Sequence, residues 1–216
     1  KVYFSKVFFK TMNFKTKQED FWAGDFGDNY IGRNQSEEFL AANTALFAEI
    51  FKSTVDVASA IEFGANVGLS LKAIRRLMPK ISLSAIEINP NAVNELKKIE
   101  NLEVFNTSIL NFSPKKAIDF VLIKGVLIHT DPDELQNVYD ILYHTSAKYI
   151  CIAEYYNPTP VALNYRGHDG KLFKRDFAGE MMDKFPNLKL VDYGFVYHRD
   201  YNFPHVDTNW FLMEKC

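Results

Sequence analysis

The sequence predicts an α/β fold: a seven-stranded, mostly parallel β-sheet with its last strand antiparallel, helices on both faces and an N-terminal helical cap. Three observations lead to this prediction. From residue 56 onward, short apolar segments alternate with segments of helical spacing, as in a parallel sheet whose crossovers are helices. Residues 117–124 are apolar almost throughout, as expected of a strand covered on both faces. The last two strand-like segments have no helical segment between them, which predicts an antiparallel pair.

The strands are predicted from short apolar runs that end at turn residues. The first run, for example, stops at Gly64, and a segment of helical spacing follows it. In chain order the predicted strands are residues 56–63, 81–88, 102–107, 117–124, 149–154, 188–196 and 209–214.

The helices are predicted from helical spacing together with start and stop signals. Pro79 ends the first helical segment after the sheet begins, and Pro90 suits the first turn of the next helix. Asp131, Asp133 and Glu134 place negative charge at the positive end of a third helix. The predicted helices are residues 69–78, 90–99, 131–144 and 174–185, preceded by one or two helices within residues 17–54, and residues 197–208 are predicted to form a polar loop.

The chain is expected to fold as one compact unit with three parts. Residues 1–16 are predicted to be an N-terminal tail. Residues 17–54 are predicted to form the helical cap, and residues 55–216 carry the sheet and its helices.

Composition narrows the possible functions. Hydrophobic residues make up 47% of the 216 residues, which is enough apolar material for a sizeable core. The 25 basic and 27 acidic residues nearly balance, so the overall basic character of a nucleic-acid-binding protein is missing. We see no apolar run long enough to span a membrane. The two cysteines, Cys151 and Cys216, do not indicate a disulfide framework, and a reducing cytoplasm fits better. No metal site is predicted, and the oligomeric state is left open.

The loop after the first predicted strand is the strongest candidate for a cofactor site. It contains Glu62, Gly64, Ala65, Asn66 and Gly68. Glycine allows a tight turn and a close approach of the backbone to a ligand, and open α/β sheets bind ligands at this carboxyl edge. Because two glycines at this spacing are a weak signal, a plain strand-to-helix turn is the alternative.

An acidic residue at the end of the second predicted strand strengthens this interpretation. Glu87 lies 23 positions after Gly64 (87 minus 64), where a carboxylate can accept hydrogen bonds from both ribose hydroxyls of a nucleoside. Ile88 could pack on the adenine face, and Ser108 with Ile109 could meet the adenine amino group. The alternatives are a solvated carboxylate and ordinary turn-forming hydroxyls.

The fourth predicted strand ends in Lys124 and Gly125, where a second close backbone approach to the ligand is possible; a simple bend in the chain is the alternative. A dinucleotide site would need three glycines in G-x-G-x-x-G, whereas only Gly64 and Gly68 are present in the loop after the first strand. The pattern therefore favours a nucleoside that lacks phosphate and carries an amino acid and a sulfonium.

These segments resemble class I methyltransferases. EFGANVG (residues 62–68) is similar to their glycine motif, and AIEINP (residues 85–90) is similar to their acidic second-strand motif. A more specific resemblance, to the pseudaminic acid biosynthesis-associated methylase family, covers about residues 14–216. It is carried by FWAGDFGDNYIGRN (residues 21–34), KGVLIH (124–129), EYYNP (154–158), YRGH (165–168) and YHRD (197–200).

The resemblance implies a Rossmann-like class I methyltransferase fold, S-adenosylmethionine as cofactor and S-adenosylhomocysteine as product. It also implies N- or O-methylation of a small acceptor, an amino sugar or nucleotide-linked sugar of a pseudaminic acid or related surface-glycan pathway. By the same analogy Trp22, Tyr30 and Arg33 lie over the cofactor, with Arg33 paired to the methionine carboxylate. Two other functions stay open: an NAD(P)-dependent oxidoreductase and a non-catalytic nucleoside-binding module.

Polar residues cluster on the segments expected to surround the acceptor. His129 and Glu154 follow or end predicted strands, and either could take the proton that a hydroxyl or ammonium acceptor must lose. Each could instead be structural or anchor the substrate. The candidate substrate-binding residues are Tyr155, Tyr156, Asn157, Tyr165, Arg166, His168, His198 and Arg199.

Overall fold

The computed structural model describes residues 14–32 and 36–216. The helices are α1 (Lys17–Ala23), α2 (Asp25–Ile31), α3 (Glu37–Phe51), α4 (Leu69–Leu77), α5 (Pro90–Leu96), α6 (Leu135–Thr145) and α7 (Phe177–Lys184). The strands are β1 (Ser59–Phe63), β2 (Ser82–Glu87), β3 (Leu102–Asn106), β4 (Ile118–Lys124), β5 (Ser146–Glu154), β6 (Val161–Tyr165), β7 (His168–Lys174), β8 (Leu188–Val196) and β9 (Thr208–Lys215).

Seven strands form the main sheet in the order β3-β2-β1-β4-β5-β9-β8. The pairs from β3 to β5 are parallel, and β9 runs antiparallel to both β5 and β8. This arrangement confirms the predicted fold class. Because the chain winds outward in opposite directions from β1 and β4, a crevice is expected at their carboxyl ends, where sheets of this kind bind ligands.

Apolar side chains cover both faces of the sheet. On one face, α3 and α4 pack through residues such as Phe47 and Leu71; on the other, α6 and α7 pack through Tyr139 and Met181. All four side chains are fully buried. Burial on both faces explains why the sequence of β4 is apolar almost throughout.

Some predicted boundaries are wrong. Strand β5 begins at Ser146 rather than at residue 149. Helix α6 begins at Leu135, because Pro132 sits in a short 3-10 turn, Pro132–Glu134, capped by Asp131. The N-terminal part contains three helices, α1 to α3, instead of one or two.

The region after β5 differs most from the prediction. Residues 155–173 carry no predicted strand, and the next helix is predicted from residue 174, whereas β6 and β7 form a separate antiparallel hairpin. Most side chains of this hairpin are exposed or half-buried, so it lacks the alternation of apolar and polar residues that identifies a strand. Helix α7 begins only after Asp176, whose side chain accepts a hydrogen bond from the Gly179 N–H at 2.8 Å.

None of the helices within residues 14–32 and 36–216 has the length and apolar character needed to cross a bilayer. The division of the chain into a tail, a cap and a sheet domain stays a prediction.

Candidate functional site

A cavity of about 410 Å³ lies at the carboxyl edge of the main sheet. Its walls come from the loop between β1 and α4, from the ends of β2 to β5, and from the hairpin. Helices α1 and α2 also line it, and α3, which mainly packs against α4, reaches it at two positions. The lining residues from these three helices are Gln18, Glu19, Trp22, Gly27, Tyr30, Phe39 and Asn43.

The glycine loop bends sharply at the end of β1. Gly64 has φ 74° and Gly68 has φ 78°, conformations that favour glycine. The backbone N–H groups of Gly64 and Ala65 both donate to the Ile86 carbonyl, at 2.9 and 3.0 Å. A Cβ on Gly64 would come within 2.5 Å of Val126 Cγ2. The loop is therefore packed tightly between the end of β2 and the residues that follow β4.

Glu87 is buried at the end of β2 and organises the loop beside it. One carboxylate oxygen, Oε2, accepts from the Asn66 N–H at 2.7 Å, and Oε1 accepts from the Asn89 N–H at 2.8 Å. Burial raises the pKa of Glu87, while these backbone hydrogen bonds act in the opposite direction. Each carboxylate oxygen has two lone pairs, so the group can still accept hydrogen bonds from a ligand in the cavity.

The first two helices are tied to this part of the site by side-chain hydrogen bonds. Asn89 Nδ2 donates to Asp28 Oδ1 at 2.8 Å. The Ser108 hydroxyl donates to Glu19. Glu19 also closes a capping box with Thr16 at the start of α1, a spacing that the sequence displays and that could have located this helix start.

Two carboxylates and an amine are brought together where β1, β4 and β5 end. Burial raises the pKa of both Glu62 and Glu154 to about 7, and burial lowers the pKa of Lys124, which is electrostatically coupled to both acids. Glu154 Oε1 accepts from the backbone N–H groups of Val126 and Leu127 at 2.8 and 2.9 Å. The Oε2 atoms of Glu62 and Glu154 are buried without a hydrogen-bond partner among the described residues.

Aromatic rings enclose one side of the cavity. The ring of His129 lies 4.7 Å from that of Trp22 and 4.6 Å from that of Tyr165. His129 Nδ1 is 2.6 Å from the Lys171 carbonyl oxygen, so in the neutral ring Nδ1 carries the hydrogen and Nε2 carries the lone pair. Burial lowers the pKa of His129 to about 4. The imidazole is therefore neutral near pH 7 and can act as a hydrogen-bond acceptor.

The structure brings most of the predicted site residues to this single cavity. Those that line it are Trp22, Tyr30, Glu62, Gly64, Ala65, Asn66, Glu87, Ile88, Ser108, Ile109, Lys124, Gly125, His129, Glu154, Tyr155, Tyr165 and Arg166.

The remaining predicted residues lie elsewhere. Gly68 precedes α4, where an added Cβ would meet the side chains of Leu96 and Ile99 rather than the cavity. Arg33 is outside the described residues. The other candidates do not line the cavity. Asn157 is half-buried, and the remaining four are exposed: Tyr156, His168, His198 and Arg199.

Several lining residues are absent from the predicted set. Among them, His205 is buried, and burial lowers its pKa to about 4. Asn43 is also buried, with Nδ2 donating to the Phe39 carbonyl at 2.7 Å. Asp131 and Glu134 are predicted only as acids at a helix start, yet they reach the cavity as well. The sequence around His205 and Asn43 holds no motif that distinguishes them from structural residues.

Unsatisfied polar atoms concentrate in this cavity. Within the described residues, seven buried side-chain nitrogen or oxygen atoms have no hydrogen-bond partner, and six of them belong to residues that line it. Buried polar groups are normally paired, so a cluster of exceptions calls for an explanation such as a ligand. The six residues are Gln18, Trp22, Asn43, Glu62, Glu154 and His205.

The lining is also acidic. In the described part of the chain, six carboxyl groups line the cavity together with two basic side chains. An excess of one charge in a cleft raises the local concentration of ligands of the opposite charge. The cavity is therefore suited to a cationic ligand. The acidic residues are Glu19, Glu62, Glu87, Asp131, Glu134 and Glu154, and the basic residues are Lys124 and Arg166.

No protein-family model and no curated protein matches this chain. Solved structures do. A 1,6-didemethyltoxoflavin-N1-methyltransferase from Burkholderia thailandensis, with 1,6-didemethyltoxoflavin and S-adenosylhomocysteine bound, has a TM-score of 0.66 at 14% identity, over 92% of this chain and 86% of that one. A magnesium protoporphyrin IX methyltransferase from Synechocystis PCC 6803, with S-adenosylmethionine bound, has a TM-score of 0.65 at 11% identity, over 94% and 100%.

A third similar structure is an amino pentose methyltransferase from Micromonospora echinaspora involved in calicheamicin biosynthesis. It has a TM-score of 0.62 at 10% identity, over 88% of this chain and 96% of that one. Structural similarity at such low sequence identity defines the fold only. The reaction has to be inferred from the residues of the site. The chain therefore has the Rossmann-like methyltransferase fold.

Proposed function

We propose that this protein transfers a methyl group from S-adenosylmethionine to a small-molecule acceptor. The observation that carries the proposal is the convergence, in one acidic cavity, of the glycine loop, the Glu87 carboxylate and the unsatisfied polar atoms. The similar structures are methyltransferases with S-adenosylmethionine or S-adenosylhomocysteine bound, which supports the same function.

The nucleoside half of this cofactor fits the residues around β2 and β3. Glu87 would accept hydrogen bonds from the ribose hydroxyls, and Ile88 and Ile109 offer apolar surface for the adenine. Ser108 also lines the cavity and would contact the adenine amino group.

The amino-acid half of the cofactor fits the charged groups at the ends of β1 and β4. The unpaired Oε2 of Glu62 could accept from the ammonium group of the methionine part, and Lys124 could pair with its carboxylate. Trp22 and Tyr30 line the cavity, and aromatic rings can stabilise a nearby sulfonium. The pairing of Arg33 with the methionine carboxylate stays a prediction.

The charge of the cavity also suits S-adenosylmethionine. When bound, S-adenosylmethionine supplies an electrophilic methyl group on a sulfonium. A cationic cofactor suits a lining with more carboxyl groups than basic side chains. The pyrophosphate of a dinucleotide would meet the same carboxylates unfavourably, which argues against an NAD(P)-dependent oxidoreductase.

The chain's own residues would position the acceptor and receive its proton. Trp22, His129 and Tyr165 enclose the cavity, which helps to exclude water and to hold the reacting groups in line. His129 or Glu154 would take the proton. The lone pair of neutral His129 on Nε2 and the unpaired Oε2 of Glu154 are both suitable acceptors.

We further propose that the acceptor is an amino sugar or nucleotide-linked sugar of a pseudaminic acid or related surface-glycan pathway. The resemblance described under Sequence analysis supports this class, as does the similarity to an amino pentose methyltransferase. Tyr155, Tyr165 and Arg166 line the cavity and could contact the sugar. The exposed candidates, such as His198 and Arg199, would contact only an acceptor that extends beyond the cavity.

The test is transfer of a labelled methyl group from S-adenosylmethionine to a library of sugar nucleotides, amino sugars and nonulosonic acids, with mass spectrometry of the product. Methylation of a member of the library is expected. Binding of S-adenosylhomocysteine without transfer to any acceptor would instead favour a non-catalytic nucleoside-binding module.

Replacing His129 tests its role in the reaction. His129→Ala should keep cofactor binding and slow turnover about tenfold or more, because the Nε2 lone pair that accepts a hydrogen bond or the proton of the acceptor is lost. Calorimetry measures the binding, and the labelled-methyl assay measures the turnover number. A normal turnover number would remove His129 as the base.

A further inference from the structure

The part of the cavity formed by β5 and the loop before β9 contains two buried hydrogen-bond acceptors, from Glu154 and His205. Glu154 Oε2 is buried there without a partner among the described residues. His205 Nε2 is also buried without such a partner, while its Nδ1 lies 3.2 Å from the Val206 carbonyl oxygen. Because a carbonyl only accepts, Nδ1 carries the hydrogen in the neutral ring and Nε2 presents a lone pair.

These two acceptors belong to one group of interacting residues. Lys124 is electrostatically coupled both to Glu154 and to His205. Glu154 ends β5 and is paired in register with Asn209 on β9, four positions after His205. The end of β5 and the loop before β9 therefore bring the unpaired carboxylate oxygen and the unpaired imidazole nitrogen to the same edge of the sheet.

His129 adds a third acceptor to the same cavity. Its Nδ1 donates to the Lys171 carbonyl, which leaves the Nε2 lone pair for other contacts. Burial lowers the pKa of both imidazoles to about 4, so near pH 7 neither ring is a cation. A ligand that satisfies Glu154, His129 and His205 must therefore supply several N–H or O–H donors.

The charged side chains of the lining indicate whether the methyl acceptor is an amine or a hydroxyl. Asp131 and Glu134 line the cavity in addition to Glu154, so the acidic groups outnumber the basic side chains of the described lining, Lys124 and Arg166. A buried carboxylate gains ion-pair attraction from a cationic donor in addition to the hydrogen bond that a neutral donor also makes. The surroundings therefore favour a protonated amine over a hydroxyl.

We propose that the methyl acceptor is a primary amine, held by Glu154 Oε2 and His205 Nε2. This inference rests on the proposed function. The ammonium transfers one proton to Glu154 Oε2, and the nitrogen lone pair that this frees forms the new bond to the methyl carbon. The electron pair of the broken carbon–sulfur bond stays on the sulfur. His205 acts as an acceptor-binding residue, a role that no sequence motif indicates.

The ionisation of Glu154 agrees with this role. Burial raises its pKa to about 7, so the carboxylate is available near neutral pH and can hold a proton once the ammonium has released it. Lys124 and Glu62 are the neighbouring titratable groups of the same cluster at the strand ends.

The test uses matched pairs of hexoses that differ only in an amino or a hydroxyl group at one carbon, each as the free sugar and as a nucleotide conjugate. Binding to the protein loaded with S-adenosylhomocysteine is measured by calorimetry, and transfer is measured with labelled S-adenosylmethionine. We expect binding and N-methylation of amine members, and binding of their hydroxyl partners that is weaker by about tenfold or more.

Two variants test whether Glu154 and His205 are the residues that bind the amine. In Glu154→Gln the amide oxygen can still accept from Val126 and Leu127, but an N–H donor replaces Oε2. In His205→Leu the lone pair is removed and the volume is nearly kept. Both should raise KM for the amine about tenfold or more while S-adenosylhomocysteine binds unchanged. Glu154→Gln should also lower the turnover number, because the amide cannot take the proton of the ammonium. Glu49→Gln, on the exposed surface of α3, is the control and should match the unmodified protein.

The outcomes separate this inference from the proposed function. If neither S-adenosylmethionine nor S-adenosylhomocysteine binds, the proposed function fails. If the cofactor binds but the methyl group goes to oxygen, or no amine in the panel binds, the amine inference is overturned while the proposed function stands. An unchanged KM in both variants would also overturn it.

Discussion

Glu87 shows how one side chain can both shape a loop and contact a ligand. Its two carboxylate oxygens already accept backbone hydrogen bonds from Asn66 and Asn89. These bonds fix the turn after β1 relative to the start of α5. Any ribose hydroxyl would then bind to a carboxylate that is held in place before the ligand arrives.

Glu87→Ala should therefore raise the dissociation constant of S-adenosylhomocysteine about tenfold or more, because charge-assisted hydrogen bonds are lost. Calorimetric titration measures this directly. Glu103→Gln, a carboxylate on the neighbouring strand β3 that lies outside the cavity, serves as control. Unchanged affinity in Glu87→Ala would rule out the ribose contact.

Glu154 also makes stability depend on pH. Burial raises its pKa from the ordinary 4.5 to about 7, so the folded protein keeps a proton that the unfolded chain releases. This contribution to stability is fully present below pH 4.5 and is lost as the pH rises through about 7. His129 and His205 act with the opposite sign, because their lowered pKa values cost stability as the pH falls towards about 4.

Glutamine cannot ionise, so Glu154→Gln should remove this part of the pH dependence. We take the free energy of unfolding of the ligand-free variant minus that of the ligand-free unmodified protein. This difference should increase between about pH 5 and about pH 8, because only the unmodified protein loses the Glu154 contribution. Urea unfolding at several pH values measures the difference. A difference that stays constant across this range would show that Glu154 is not protonated in the folded state.

Among the secondary-structure elements, the hairpin β6–β7 and helix α1 together form one wall of the cavity. Lys171 Nζ donates to the Lys17 carbonyl at 2.9 Å, which joins the hairpin to α1. The Lys171 carbonyl in turn accepts from His129. Through this wall, the hairpin sets the orientation of the His129 ring and brings Tyr165 against it.

The turns that follow β1 and β4 allow a matched test of backbone strain. Gly64 and Gly125 both have positive φ, 74° and 68°, but of the two only a Cβ at Gly64 would collide with a neighbour, Val126, at 2.5 Å. Gly125→Ala should cost about 1–2 kcal/mol of stability from the backbone alone. Gly64→Ala should cost roughly 1–3 kcal/mol more, because the stiff Val126 side chain must also move.

Chemical denaturation of these two variants without ligand measures the difference between their free energies of unfolding. Equal losses would show that the contact with Val126 relaxes freely and that the glycine loop is not tightly packed against it.

Across the whole chain, the charge of the cavity is the sum of contributions from distant segments. Glu19 comes from α1, Glu87 from β2 and Glu154 from β5, and all three line the same space. Their combined field favours a cationic cofactor over an anionic dinucleotide.

A thermal-shift experiment tests this preference. S-adenosylmethionine at about 100 times its dissociation constant should stabilise the protein by about 2.7 kcal/mol, which raises the melting temperature by roughly 5–10 °C for a chain of this size. NAD at the same concentration should give no shift. A shift with NAD alone would favour the oxidoreductase.

Local sequence signals were sufficient to predict the main strands along the chain, the glycine loop and the position of Glu87. These features follow from local rules, because apolar runs, proline and glycine act on the backbone next to them. Most of the predicted site residues line the cavity for a related reason: parallel strands end at one edge of the sheet.

Contacts between distant residues could be learned only from the folded chain. Packing placed His205 and Asn43 in the cavity, left His198 and Arg199 on the surface, and formed a hairpin from residues 161–174. The hydrogen bond from His129 to the Lys171 carbonyl joins residues 42 positions apart. No local pattern encodes such a contact, because it forms only when packing brings the two segments together.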